Sequence, residues 1–478
     1  MPGIDNRVIV IGGGLAGIAA ACDLADAGQP VTLIEARPFL GGKTWSFRDD
    51  HTGMTVDNGQ HVFLGCCAAY RHFVERLGIE QHTRLQERLR VPILDGQHKP
   101  AALKETRLPL PAPLHLLPSF LRLPMLSWQE KLRAGRTLLA IRRAGQSGRS
   151  AYDTISFADW LRERGESQRA ITYLWNLITL ATINEDCERA SAGLALVVFQ
   201  EGLLRRTDGG RIGYATVGLS DLICQAATRY LLARGASIQL GCRGAGLEIK
   251  DAQLTGIRLM DGELIPASQA IVALPQYLLA SLLPPEYRSH PFFARAARLG
   301  TSPIVGVNLW LDRPVMREPL AAVIRKHDTY WVFDKGALLG EKLAGGQYLT
   351  ISISGAHRYL DHSREQIINH VREELEAVFP TLREAQIVHT LVIKERQATF
   401  SAAPGSLANR LPTLTPLPGL YVAGAWTDTD WPATMEGAIR SGQRAAQAAI
   451  HARQAGIYTY IPLPVPAESR QDEASTCS

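Results

Sequence analysis

The stretch RVIVIGGGLAGIAAACDLADAGQPVTLIE, residues 7–35, decides the fold. A β-branched run ends in glycines, an alanine-rich helical segment follows, and a second apolar run closes on Glu35. Strand, glycine turn, helix and strand in that order make a βαβ unit. Gly12 permits the tight turn with Gly13, Gly14 lets a pyrophosphate approach the backbone, and Gly17 lets the helix pack close to the sheet. The helix start at Leu15 and Ala16 offers N–H groups and partial positive charge to phosphate oxygens. Glu35 follows Gly17 by 18 residues, where a carboxylate accepts from both hydroxyls of an adenosine ribose and disfavours a 2′-phosphate. Motif, flanking elements and acid agree on a dinucleotide.

Outward from Glu35, Ala36 and Arg37 lead into RPFLGGKT, residues 37–44, and then VDNGQH, residues 56–61. The backbone of Gly41 and Gly42 can pass close to a long cofactor, with Lys43 or Arg37 neutralising phosphate; an ordinary basic loop is the plainer alternative. Thr44, Gly59, Gln60 and His61 extend the same run.

With 478 residues, 46% of them hydrophobic, the chain can bury more than one core, and two domains are the natural expectation. A net charge of +5 without any Lys/Arg run argues against a nucleic-acid partner. Seven scattered cysteines without a C-x-x-C pair read as reduced packing residues of a cytoplasmic protein, so neither a metal site nor a disulfide framework is expected. With the first strand read so near residue 1, no signal peptide is expected, and no apolar run reaches the roughly twenty residues of a spanning helix.

Residues 108–128 are apolar yet broken by five prolines, which excludes a long helix or a central strand. Ser127 and Glu130 then fit a capping box for a helix carrying Lys131, Arg133, Arg136, Arg142 and Arg143. An apolar loop beside a cationic helix suits contact with one anionic membrane leaflet, at the inner face of the cell membrane; it equally suits a loop roofing an internal pocket. Helices are expected over 68–77, 156–165, 170–182 and 191–204, the last three walling a cavity. From Val217 the pattern returns to α/β: a helix to about Ala233, a strand over 236–240, a hairpin about Asp261-Gly262, and a buried strand ending at Pro275. Strands at 301–311, 348–354 and 387–394, with an amphipathic helix over 362–379, suggest an antiparallel sheet with helical cover.

Near the end, a strand closes on Gly424, a polar and aromatic loop crosses, and a helix starts near Met435 with small residues at Gly437, Ala438 and Gly442. Its N-terminus can approach a large planar ligand and stabilise negative charge on it. Beyond about Pro462 the composition reads as disordered.

The 12–35 unit, the Gly41-Gly42 pair, the strand ending in Pro275 and the MEGAIRSG helix, residues 435–442, together resemble the flavin amine-oxidase and phytoene-desaturase superfamily over nearly the whole chain. WTDTDWPATME at 426–436, LPAPLHLL at 110–117, and Trp175 followed by ATIN at 181–184 are most similar to its squalene-associated branch, the hydroxysqualene dehydroxylases. The resemblance implies an α/β glutathione-reductase-type, Rossmann-like FAD domain (1–80, 213–290, 415–455). It also implies an interleaved α+β substrate domain (81–212, 291–414) and a tail over 456–478. It implies FAD as cofactor, a long apolar isoprenoid as substrate, and reductive removal of the hydroxyl of hydroxysqualene to give squalene on the route to hopanoids.

Residue by residue, Gly12, Gly14 and Gly17 would hold the FAD pyrophosphate and Glu35 the ribose. Lys43 stands where many relatives have arginine, Gly244 where they have a valine touching adenine, and Ala425 where they carry a ribityl-binding acid. Gly424, Thr434, Met435 and Glu436 would line the flavin, with His61 packed beside it. Trp426 and Trp431 would face a substrate cation. Asp428 and Asp430 are candidate acids for the leaving water, or else carboxylates capping the loop before the helix. Two alternatives remain open on the same scaffold: oxidative desaturation of phytoene or a similar polyene, and a non-catalytic prenyl-lipid binder.

Overall fold

The computed structural model describes residues 7–325, 328–341 and 343–455. The expected disordered tail lies outside them.

Val8–Ile11 is buried at every residue, as a strand covered on both faces must be. It sits in the middle of a five-stranded sheet ordered Ser237–Leu240, Val31–Glu35, Val8–Ile11, Gln269–Val272, Leu420–Val422. All four pairings are parallel, so chain segments far apart in sequence assemble one nucleotide-type sheet. The final strand ends at Val422, two residues before the Gly424 expected from the sequence. Helices Leu15–Asp26 and Met435–Ala455 pack together on this sheet, so closely that a Cβ on Gly442 would lie 2.0 Å from the Ala16 carbonyl oxygen. The hairpin turn at Asp261-Gly262 is present, with Gly262 at φ +92°.

The second sheet has seven strands, ordered Ile387–Phe400, Thr301–Leu311, Gln347–Ser354, Thr329–Asp334, Leu320–Ile324, Arg90–Leu94, Ala101–Lys104. Only the Leu320–Ile324/Arg90–Leu94 pairing is parallel. The two strands at 320–334 escape the sequence reading, and they carry the joint between early and late parts of the chain. Strand pleating divides the sheet's duties. Tyr330, Val332, Ile351 and Ile353 share a core with Ile367, Val371 and Leu375 of the covering helix Arg364–Glu376, while Trp331, Phe333, Ser352 and Ser354 face a cavity.

The helical segments fall where the periodicity puts them, with one local surprise: the π-helical turn Ile171–Trp175 lies inside a helix, Gln200–Leu204 closes one and Ser220–Cys224 opens one. A π turn adds a residue and rotates the remainder of its helix, a device that recurs at functional sites. Ser127 and Glu130 form the capping box in full. Lys131 departs from the expected cationic face: it is buried, its ammonium donates to the Leu121 carbonyl at 2.8 Å and lies over the Trp128 ring.

Candidate active site

Gly12 adopts φ +107°, and a Cβ on Gly17 would fall 1.8 Å from the Gly12 carbonyl oxygen. The turn and its helix therefore admit only glycine at these two places. No side chain caps the Leu15–Asp26 helix at its Gly14 N-cap, so the amides of its first turn are offered to a ligand. Glu35 Oε2 accepts from the Gly13 amide at 2.6 Å and Oε1 from the Arg37 amide at 2.8 Å, which fixes the carboxylate at the strand end before any ribose arrives. Gly13 also accepts from the Gly41 amide at 2.8 Å, and Gly42 stacks so closely on Gly14 that a Cβ there would lie 2.9 Å from the Gly14 Cα. Thr44 donates to the Gly41 carbonyl at 2.7 Å and holds this second glycine turn shut. The amides of Gly241 and Cys242 donate to Arg37 and Glu35 carbonyls, bringing Gly244 over the ends of the central strands. Sequence-distant candidates thus converge on one cradle.

The two cations expected on phosphate are placed otherwise. Arg37 is exposed and donates to the Gly42 carbonyl at 2.9 Å, while Ala36 is simply exposed. Lys43 is turned away: its ammonium donates to the carbonyls of Gln397 and Ala398 in the long 387–400 strand, and burial lowers its pKa. It ties the glycine turn to the seven-stranded sheet and so does not point its charge at the turn.

Asn58 Nδ2 donates weakly to the Lys43 carbonyl at 3.4 Å and sets the Gly59–His61 loop beside that turn. His61 Nδ1 pairs with the Gly59 carbonyl at 2.8 Å, and burial lowers its pKa, so the ring is a neutral packing group. At the other side Gly424, at φ +141°, donates to Ser441 Oγ at 2.8 Å, and Thr434 Oγ1 accepts from Gly437 in the first turn of the last helix. Glu436 is fully buried, and its carboxylate accepts from the Ala69 and Tyr70 amides and from Arg440. It therefore caps the neighbouring helix Ala68–Arg76.

A cavity of about 230 Å³ opens between these loops and the seven-stranded sheet. Gln60, Trp431, Thr434, Met435 and Glu436 line its nucleotide side; Leu177, Ile178, Val198 and Leu203 from the helices and Leu89, Val91 and Leu103 from the sheet edge make most of the remaining wall apolar. Glu201, inside a π turn, also lines it, but Arg149 and Arg205 hold that carboxylate at 2.7 and 2.8 Å and, against the effect of burial, lower its pKa. The Cys66 and Cys67 side chains reach the wall too; their mutual hydrogen bond and burial push the Cys67 thiol well above the ordinary range.

A sequence profile of the flavin-containing amine oxidoreductases matches residues 15–450. The chain belongs to that family. It is 27% identical to a chloroplast/chromoplast 15-cis-phytoene desaturase of Capsicum annuum over 455 residues, covering 93% of this chain and 78% of the relative. It is 28% identical to a probable zeta-carotene desaturase of Synechococcus elongatus over 481 residues, covering 94% and 99%. The cyclohexylamine oxidase of Brevibacterium oxydans shares the fold at TM-score 0.69 and 20% identity, covering 94% of this chain and 100% of the other.

FAD is the cofactor of this flavin-containing oxidoreductase, and the residues fit it. The uncapped helix start suits a pyrophosphate, Glu35 stands ready for a ribose, and the last helix directs its N-terminus at the cavity's nucleotide side.

Four further expectations divide. Trp431 lines the cavity, but Trp426 is packed inward, its indole donating to the Leu274 carbonyl at 2.8 Å. Asp428 and Asp430 are both exposed, and Asp430 pairs with Arg444 at 3.1 Å, so neither reaches the cavity as an acid would have to. The loop residues before and between them turn inward instead, around Arg410, a fully buried residue whose guanidinium donates to the Ala425, Trp426 and Thr427 carbonyls and to Thr429 Oγ1. Burial pushes its pKa down to about 10. Arg410 and the buried Lys335–Asp57 ion pair escape the sequence reading; their only signal is a basic residue in a stretch otherwise destined for the core.

Proposed function

We propose that this FAD-dependent oxidoreductase acts on a long isoprenoid and removes the hydroxyl of hydroxysqualene to give squalene. The single observation that carries this reading is the composition of the cavity wall. It is apolar over most of its extent yet presents Gln60, Thr434, Ser352 and Ser354 to the interior. A hydrocarbon offers such groups no hydrogen bond, whereas a chain bearing one hydroxyl can bond with one or two of them. When bound, the reduced flavin supplies the hydride that replaces the hydroxyl, which departs as water on taking up a proton. The chain's own contributions are exclusion of water by Leu177, Ile178 and Val198, orientation of the oxygen by Gln60 and Thr434, and a π face on Trp431 for positive charge at the reacting carbon.

Oxidative desaturation of a polyene is the second reading, favoured by the names of the curated relatives. Lipid analysis separates the two: cells that form hydroxysqualene should accumulate squalene only when the chain is expressed, whereas new conjugated double bonds in phytoene would support the alternative.

A one-leaflet membrane contact belongs to the same proposal. Trp128, Leu132 and Leu139 recur on one exposed face of the helix Trp128–Ala144, with exposed Arg133, Arg136, Arg142 and Arg143 around them. Leu108, Leu114 and Leu117 of the proline-rich loop are exposed as well, while Leu116, Leu123 and Met125 turn into the core. Apolar side chains beside guanidinium groups suit an anionic surface through which so apolar a substrate would arrive. Among the described residues no helix is long and apolar enough to cross a membrane. Co-sedimentation with anionic but not zwitterionic vesicles, lost in L132E/L139E, tests the contact.

A further inference from the structure

Asp57 and Lys335 come from different parts of the molecule: one ends the strand Thr55–Asp57 before the Gly59–His61 loop, the other opens the short helix Lys335–Leu339 directly after Thr329–Asp334, the middle strand of the seven-stranded sheet. Both are buried and form an ion pair. Asp57 Oδ1 also accepts from the Leu219 amide at 3.1 Å, and Lys335 Nζ donates to Gln60 Oε1 at 3.1 Å. Two charges removed from water are costly, and an apolar pair of similar volume is commonly as stable or more so. The pair therefore calls for a role beyond holding the fold together.

The chemistry of Gln60 supplies one. A side-chain amide has an accepting and a donating end, whereas an ammonium only donates. Lys335 therefore obliges the Gln60 carbonyl to turn toward it. The NH2 end, which reaches the His61 carbonyl at 3.3 Å, is left as the hydrogen-bonding end of a residue that lines the cavity beside Thr434. Asp57 in turn holds the Lys335 ammonium in place.

We infer that Lys335, held by Asp57, is a specificity-determining positioning residue: it locks Gln60 as a hydrogen-bond donor to the oxygen of a hydroxylated isoprenoid. This rests on the proposed function and adds how the site tells the hydroxylated lipid from the hydrocarbon product. A donor that cannot flip favours an alcohol oxygen and offers nothing to an alkene. Substrate is thereby held and product released.

The test measures binding of hydroxysqualene and of squalene to the flavin-loaded full chain, each in detergent, by perturbation of the flavin spectrum. The wild type should bind the alcohol about three- to tenfold more tightly, the worth of one neutral hydrogen bond. Q60L and the charge-free D57N/K335M should bind both lipids alike, with squalene affinity unchanged, and K335R should retain the preference. The double variant avoids the stranded carboxylate that could unfold K335M. A pair that only stabilised the fold would lower the melting temperature and move both affinities together. Preference retained in D57N/K335M, or absent from the wild type, would overturn the inference. Conversion of hydroxysqualene by the same wild-type preparation reports separately on the proposed reaction, which can stand when the inference falls.

Discussion

In the nucleotide half of the site, Gly12, Gly13, Gly17 and Glu35 all belong to one βαβ unit, with Gly12 against Gly17 and Gly13 against Glu35. In the cavity half, the wall is gathered from Gln60 to Glu436, and no two adjoining parts of it are neighbours in sequence for long. The first half tolerates almost no side-chain volume; the second is made of interchangeable apolar volume with a few fixed polar points. Substitutions should therefore act sharply and locally in the one and by degrees in the other.

The largest effect expected is at Gly17. In G17V the new side chain collides with the Gly12 carbonyl, so flavin content measured as the 450 to 280 nm absorbance ratio should fall close to zero. By contrast V198A, in the cavity wall, should leave flavin content intact and change lipid turnover only; equal flavin loss in both variants would erase the contrast.

Next comes the joint between the halves. K335M strands a buried carboxylate at Asp57 and should cost about 3–5 kcal/mol in denaturant unfolding, with much of the loss recovered in D57N/K335M. E436Q keeps the shape but removes the charge that accepts from the Ala69 and Tyr70 amides and from Arg440, a loss of about 1–2 kcal/mol.

A pH effect belongs to the cavity's outer strands. Glu105 accepts from Arg211 at 2.7 and 3.0 Å and from the Leu89 amide at 3.1 Å; burial would raise its pKa, but these partners lower it below the ordinary 4.5. A carboxylate with a depressed folded-state pKa contributes stability that is present above its unfolded value and is lost as pH falls through the folded one. Wild type should thus lose stability more steeply than E105Q on acidification below about pH 4.5, and parallel curves would show the clamp to be idle. The smallest effect is expected at the two loop carboxylates: D428N and D430N, both solvent-facing, should change turnover less than about twofold, within the range of ordinary surface substitutions.

The same contrast explains what the sequence made legible. The tight turn at Gly12, the close packing at Gly17, the place of Glu35 at its strand end and the Ser127/Glu130 box are local, so their physics is written in consecutive residues, and the structure has that geometry. Lys43 misleads because a lysine beside a glycine pair suggests phosphate, while its actual partners, the Gln397 and Ala398 carbonyls, lie more than 350 residues away. Asp428 and Asp430 mislead for a related reason: an alternating loop sends one set of side chains in and the other out, and sequence alone does not say which. Here Thr427, Thr429 and Trp431 go in. The strands at 320–334 are short and without turn signals of their own, and only pairing with 90–94 and 347–354 makes them a sheet.

Reductive dehydroxylation is tested most directly without oxygen. Flavin-loaded, reduced protein is mixed with hydroxysqualene in detergent, flavin absorbance is followed, and the lipid is extracted. The expected result is reoxidation of the flavin in step with formation of one squalene per flavin. Reduced flavin that persists beside unchanged hydroxysqualene, with the oxidised protein instead desaturating phytoene, would contradict it.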